Sequence, residues 1–420
     1  MSRSGPTPSA PNDDAVPAET RGAAGRVAQV HAQTRRGLVV AAAFVAAAVV
    51  ASVVSGVVTA AGGIGVGWWL PLHLFVVGAL LTAVSAVTQM LAVTWSAAPA
   101  ARPIVATTQR WLLAVGTIAL VVGHETGRSW LFVSGGVAVI VAMLGLALIL
   151  VRIRREAVTP RFGPAIEAYV AAVVAGAVGM TIGLLLGTDR AGSNAVELRD
   201  VHLTLNVFGL IGLVIAATLP FFAATQVRSK MSPRATPTNM RVAFAVLAVA
   251  TAVAAVGHLV ARPTVVVGGL GAYALGLVAI AAMLPIYARK GVLWAGPRVL
   301  QMGAGLAWWI AMTCALAVAN IRETDDRAVL QALVIGGFAQ ILVASLAYLG
   351  PVLRGGGHRR LSAGFAITRS WISLTAGNAA ALAALAGWSN ALAVALTVWL
   401  ADIVIRAGRL MAPTNQDDDA

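Results

Sequence analysis

The chain has 420 residues, of which 59% are hydrophobic and only 11% charged, and its mean hydropathy is +0.85. A soluble domain carries roughly a quarter charged residues, so this composition excludes an ordinary water-soluble fold and makes lipid the main solvent. The formal charge of +14 does not argue for nucleic acid as a partner, because the basic residues sit in short loops between apolar runs and build no continuous face.

Residues 1–36 are rich in Pro, Ala and Ser and read as a disordered cytoplasmic tail. The apolar run 37–62 is too long for the hydrophobic region of a signal peptide and reads as an uncleaved first membrane helix. Runs of about the twenty residues needed to cross the hydrocarbon core follow at 70–95, 104–123, 130–151, 165–187, 201–224, 241–261, 264–287, 298–320, 328–351, 363–386 and 388–405. The expected fold is therefore all-α: a polytopic transmembrane bundle of about 12 helices over 37–405, with a short cytoplasmic tail at 406–420. Arg110 lies in the first turns of the third span and is expected to snorkel to the near interface. Cys314, the only cysteine, lies inside an apolar run. It excludes an intramolecular disulfide and any thiolate metal site, and reads as a packing residue. Asp402 and Arg406 are four apart near the inner end of the last span and are expected to pair on one helix face.

Loop charge sets the orientation. With the N-terminus inside, 24 of the 30 Lys and Arg fall on the cytoplasmic side. Only Arg128, Arg190, Arg199, Arg262, Arg322 and Arg327 fall outside, where acidic residues such as Glu125, Glu197, Asp200 and Asp326 gather. A wrong helix count would scramble this alternation, so both termini are placed in the cytoplasm. Arginine far outnumbers lysine and Ala, Val and Gly abound, a bias of high-GC bacterial genomes, which makes a bacterial inner (plasma) membrane the expected location. Trp68, Trp69, Trp130 and Trp388 fall at outer span edges, and Trp95, Trp111 and Trp294 at inner ones, as an aromatic belt requires.

The informative feature is a duplication. The second span opens with His73-Leu74 and the sixth with His202-Leu203; the third ends Gly123-His124-x-x-x-Arg128 and the seventh Gly257-His258-x-x-x-Arg262. Paired glycines follow each, Gly135-Gly136 and Gly268-Gly269. The matching spans are four apart, so the copies, near 69–155 and 200–290, are parallel four-helix repeats. All four histidines then lie at one depth near the outer interface, whereas His31 and His358 fall in cytoplasmic segments. Neutral imidazole suits copper, iron and zinc, so a metal or haem site held by His73, His124, His202 and His258 is one reading. The other is that these residues cap helix ends and bond outer-loop carbonyls. Arg128 and Arg262 run against the positive-inside trend. They fit either the neutralisation of an anionic ligand, such as haem propionates, or pairing with Glu125 and nearby carboxylates.

The stretch Val201-His202-Leu203-Thr204-Leu205-Asn206, then Gly209 to Pro220, then Thr225 to Met231, resembles the sixth helix of bacterial membrane proteins whose larger members carry a multicopper-oxidase domain. The tenth span, Gln331 through Gly337-Phe338 to Gly350-Pro351, is similar to the corresponding later helix there. More distantly, His73 and His202 at the start of apolar helices resemble the NnrS-type nitric-oxide-response proteins and the haem–copper oxidase superfamily. That resemblance implies a twelve-helix bundle with haem or copper near the outer side, His73 at the helix-two haem position and His202 and His258 at the copper positions. The tenth span departs from the pattern: Gln331 and Ser345 stand where the relatives have histidine, and Asn206 stands where the oxidases have their cross-linked tyrosine. Oxygen reduction is not expected.

No Walker loop, nucleophile elbow, zinc-protease motif or paired carboxylates occur, so no catalytic signature is present. Three functions stay open: metal handling, nitrosative response or electron transfer through copper or haem, with a membrane or periplasmic redox partner; a secondary transporter or facilitator of a small molecule; and a non-catalytic membrane scaffold. Transporters favour charged residues at the midplane, whereas here Glu167 and Asp402 lie near inner ends.

Overall fold

The computed structural model describes residues 18–60 and 69–412. Among these, every regular element is helical. The long helices are α1 (Ala18–Ala60), α2 (Trp69–Ser96), α3 (Pro103–Glu125), α4 (Ser129–Arg155), α5 (Pro160–Leu186), α6 (Gly192–Gln226), α7 (Pro237–Leu259), α8 (Pro263–Ala282), α9 (Pro297–Arg322), α10 (Arg327–Arg354), α11 (Trp371–Leu385) and α12 (Ser389–Met411). Eleven of them are long and apolar enough to cross a membrane, which makes the chain a multi-pass membrane protein. The exception is α11, with 15 residues. The single span expected at 363–386 is broken at Thr368–Ser370 into α11 and a short amphipathic helix, Gly357–Ile367. At the break, the Ser370 side chain caps α11 by accepting from the Ser373 N–H. A second short helix, Arg289–Ala295, precedes α9. The first helix starts at Ala18, inside the stretch read as a tail; residues 1–17 and Trp68 lie outside the described residues.

Local chemistry explains the boundaries. Pro103, Pro237, Pro263 and Pro297 each occupy the first turn of α3, α7, α8 and α9, where a missing N–H costs nothing and a fixed φ helps. Three helix pairs, α3/α4, α7/α8 and α11/α12, turn back directly through the same closure, whose hydrogen bonds also end α5 (Arg190 on Leu185) and α6 (Ser229 on Ala224). Arg128 N–H donates to Gly123 O and Gly127 N–H to His124 O. Arg262 and Ala261 repeat this on Gly257 and His258, and Trp388 and Gly387 on Ala383 and Ala384. This is the Schellman arrangement, with the turning residue left-handed at Gly127, Ala261 and Gly387 (φ 66°, 49° and 70°). Glycine lets the first two pairs approach closely: a Cβ on Gly269 would lie 2.6 Å from the Ala254 nitrogen, and one on Gly135 would meet the Leu120 nitrogen closer still.

Three helices carry π-helical segments near their starts: Leu74–Leu80 in α2, Leu205–Gly212 in α6 and Leu333–Ala339 in α10. Each contains a leucine followed four residues on by glycine, Gly78, Gly209 and Gly337, packed against the preceding helix at Phe44, Ala175 and Trp309. The wider π turn leaves backbone groups out of the regular ladder, and in other proteins such turns often mark functional places.

One continuous apolar core runs through α2 to α10. Buried polar seams cross it. Ser85 Oγ donates to Gln109 Oε1 at 2.7 Å, and Gln109 Nε2 donates to the Ala142 carbonyl at 3.0 Å. Arg110 does not snorkel; its side chain is buried and donates to the Gln33 carbonyl at 2.6 Å, tying α3 to α1. Asp402 and Arg406 do pair, at 2.8 Å, and Ser370 Oγ donates to the same carboxylate at 2.6 Å. Cys314 is on the exposed face of α9 rather than packed inside.

Candidate functional site

The site is built at the starts of α2 and α6 and the end of α3. His73 ends the first turn of α2, and its Nδ1 lies 2.8 Å from the Trp69 carbonyl, one turn back. His202, one turn before the α6 π segment, places Nδ1 2.7 Å from the Gly179 carbonyl of α5. A carbonyl only accepts, so in both rings Nδ1 carries the proton and Nε2 keeps its lone pair. Space for His202 comes from α5, where a Cβ on Gly183 would lie 2.8 Å from its Cε1. Asn206 donates to the His202 carbonyl at 2.8 Å, a helix-internal bond.

Trp69, expected at an outer span edge, is half-buried and its indole has a specific setting. It is stacked between two imidazoles, with ring centroids 3.9 Å from His73 and 3.7 Å from His124 and interplanar angles of 19° and 12°. Phe132 closes the edge of this stack at 6.3 Å. The signal was present in the sequence, since Trp69 precedes His73 by one helical turn, but nothing local says that α3 delivers His124 to its other face. The Trp69 stack brings His73 and His124 together, with His202 held nearby on α6 against α5.

His258 is elsewhere. It faces Asp200 and Asp326 across a cleft that Asn320, Leu203 and Leu330 also line, between α6, α7, α9 and α10. Asp200 and Asp326 are further residues that spacing alone did not single out. The duplicated positions thus acquire different neighbours: His124 meets an indole and His258 two carboxylates. Among the described residues, no three His, Cys, Asp or Glu side chains come together as a metal-binding set.

Arg128 and Arg262 are exposed at the starts of α4 and α8 and make no ion pair among the described residues. Glu125, the expected partner of Arg128, lies 3.3 Å from His124 Nδ1 instead. The reason is geometric: the Schellman turn uses the backbone of Arg128 and Arg262 and sends their side chains outward. Neither arginine is tied to a ligand-facing position.

Haem does not suit this arrangement, because the gap between the His73 and His124 rings is filled by the Trp69 indole. Imidazoles oriented by an Nδ1–H to carbonyl bond are the usual form of a metal-ligating histidine, and His73 and His202 both have it. Compared with known proteins, the chain matches no family model and no curated relative.

Proposed function

We propose that this is a twelve-helix protein of the bacterial inner membrane, with both termini cytoplasmic, that binds copper at its outer end through Nε2 of His73 and His202. The observation that carries the reading is the matched pair of tethers, Trp69 O and Gly179 O, which hold each Nδ1–H and leave each Nε2 lone pair unused. Two neutral imidazoles are a donor set that suits copper. Such an ion would serve metal handling or electron transfer with a membrane or periplasmic partner. The haem–copper-oxidase-like helix order remains part of this proposal, without oxygen reduction.

The twelfth crossing in this reading is α11. At about 1.5 Å per residue its 15 residues cover roughly 22 Å, short of the ~30 Å core, a mismatch that local thinning accommodates. Support comes from its hairpin with α12, which closes as α3/α4 and α7/α8 do. Together with the π segments of α2, α6 and α10, this supports a division into three parallel four-helix repeats, α1–α4, α5–α8 and α9–α12.

The test is copper analysis of detergent-purified protein after loading and desalting. Because copper prefers imidazole donors, wild type should retain about one ion, His73→Ala and His202→Ala should lose it, and His258→Ala should keep it. Absence of copper from wild type, or equal retention by all variants, rejects the site. A metal-free scaffold is the second reading, favoured by the same tethers, since a carbonyl-bonded imidazole also seals a helix end.

A further inference from the structure

The Lys- and Arg-rich end of the bundle contains a buried charge that no carboxylate or hydrogen-bond acceptor among the described residues answers. Arg298 stands in the first turn of α9, just after Pro297, and is 1% exposed. Its Nε and both terminal nitrogens have no hydrogen-bond partner among the described residues. A buried polar group without a partner is costly, and a buried charge more so, which makes an unanswered guanidinium at this depth exceptional.

Its surroundings are aromatic and cationic. The guanidinium lies 5.0 Å from the ring centroid of Trp294, 4.9 Å from Phe365 and 5.6 Å from Tyr348. Arg228, from the segment after α6, sits over the same Trp294 indole at 3.9 Å, and Arg369, from the break before α11, approaches it at 5.9 Å. Among the described residues, the charged groups that act on Arg298 are Arg369 and Arg228, and no carboxylate is with them. Arg369 Nε is itself buried and unpartnered. Ring faces offset part of the charge, yet they cannot accept five planar N–H bonds. The two short helices, Arg289–Ala295 and Gly357–Ile367, exist here to bring Trp294 and Phe365 over the start of α9. The free N–H groups of that first turn add the positive end of a 26-residue helix.

We propose that Arg298, Arg228 and Arg369 bind a phosphate oxyanion at this end of the bundle, supplied either by the headgroup of an anionic phospholipid or by free phosphate. Arginine forks match phosphate oxygens two at a time, and basic pockets between helices at a cytoplasmic membrane face are where anionic headgroups bind. The residues are independent of the histidine region, so failure of the copper reading leaves this site untouched.

The experiment uses the full chain, delipidated in detergent, with two probes: phosphatidylglycerol, followed by native mass spectrometry and by thermal shift, and inorganic phosphate, followed by thermal shift. Variants are Arg298→Met, Arg228→Gln and, as a control on the same basic segment, Arg234→Gln. Wild type and Arg234→Gln should bind at least one probe about tenfold more tightly than Arg298→Met and Arg228→Gln, the loss expected for one charge-assisted bond. Binding of phosphatidylglycerol alone assigns a lipid headgroup, and binding of both assigns any accessible phosphate. Arg298→Met also separates a structural role: as a mere buried charge its removal raises the melting temperature equally with and without probe, and that result overturns the proposal. So does a wild type that responds to neither probe, or an Arg228→Gln protein that binds as wild type does.

Discussion

The adjacent glycines Gly268 and Gly269 on α8 should respond in opposite directions to the same methyl group. A Cβ on Gly268 meets nothing within 4 Å, whereas one on Gly269 would lie 2.6 Å from Ala254 N and 2.8 Å from Ala250 O. Those atoms belong to the α7 backbone and cannot rotate away, so the helices must part by roughly 0.8 Å to restore ordinary contact. Alanine also gains about 1 kcal/mol over glycine inside a helix, but that gain is common to both positions and cancels in their difference. What remains is the overpacking cost, about 1–3 kcal/mol. Gly268→Ala is therefore expected to stabilise the protein and Gly269→Ala to be about 1–3 kcal/mol less stable than Gly268→Ala. Gly135→Ala should fall below Gly269→Ala, because its methyl group meets the α3 backbone more closely. Gly136→Ala should be milder, because its obstacle is the end of the Leu184 side chain. The assay is unfolding in dodecylmaltoside titrated with SDS, followed by tryptophan fluorescence. Equal stabilities for Gly268→Ala and Gly269→Ala would refute the close α7/α8 approach.

Removing the indole between the imidazoles, Trp69→Ala, forfeits two stacks worth about 0.5–1.5 kcal/mol each, and Trp69→Phe should retain part of that, read as melting temperature in detergent. Asp402, 8% exposed, is answered by Arg406 and Ser370, so Arg406→Gln should cost up to about 3 kcal/mol by leaving the buried carboxylate with Ser370 as its remaining donor. Adding Asp402→Asn to Arg406→Gln should recover most of this loss, which a double-mutant cycle measures; additive losses would contradict the buried pair. For the outer end, copper retention should follow His73 and His202 and ignore His258, since His258 faces Asp200 and Asp326 instead.

The paths of α2 to α10 were legible because a hydrophobic run long enough to cross lipid is a local property, and the Asp402–Arg406 pair was legible because a helix alone places i and i+4 together. The split falls on Thr368-Arg369-Ser370, a polar interruption ending in an N-cap serine that the expected span 363–386 ran through. Packing of Phe365 against Trp294 and Tyr348 holds the short helix before the break. Arg110 was misread for a different reason: its burial depends on a carbonyl of α1 that arrives from far away in the chain. The duplication was visible in two copies through its histidines. The α11/α12 turn has Ala384 where the α3/α4 and α7/α8 turns have His124 and His258, so no histidine pattern pointed to its similar backbone closure.

Composition and the order of apolar runs determined by themselves that this chain lives in lipid, since solvent preference sums over residues and needs no contact between distant ones. Which polar groups meet was decided by tertiary structure alone. Trp69 became the filling between His73 and His124, His258 turned to two carboxylates, and three arginines converged on one indole because helices distant in sequence were packed side by side. In a protein whose helices are nearly all apolar, the few polar contacts carry the specificity, and their geometry is a property of the bundle rather than of any one helix.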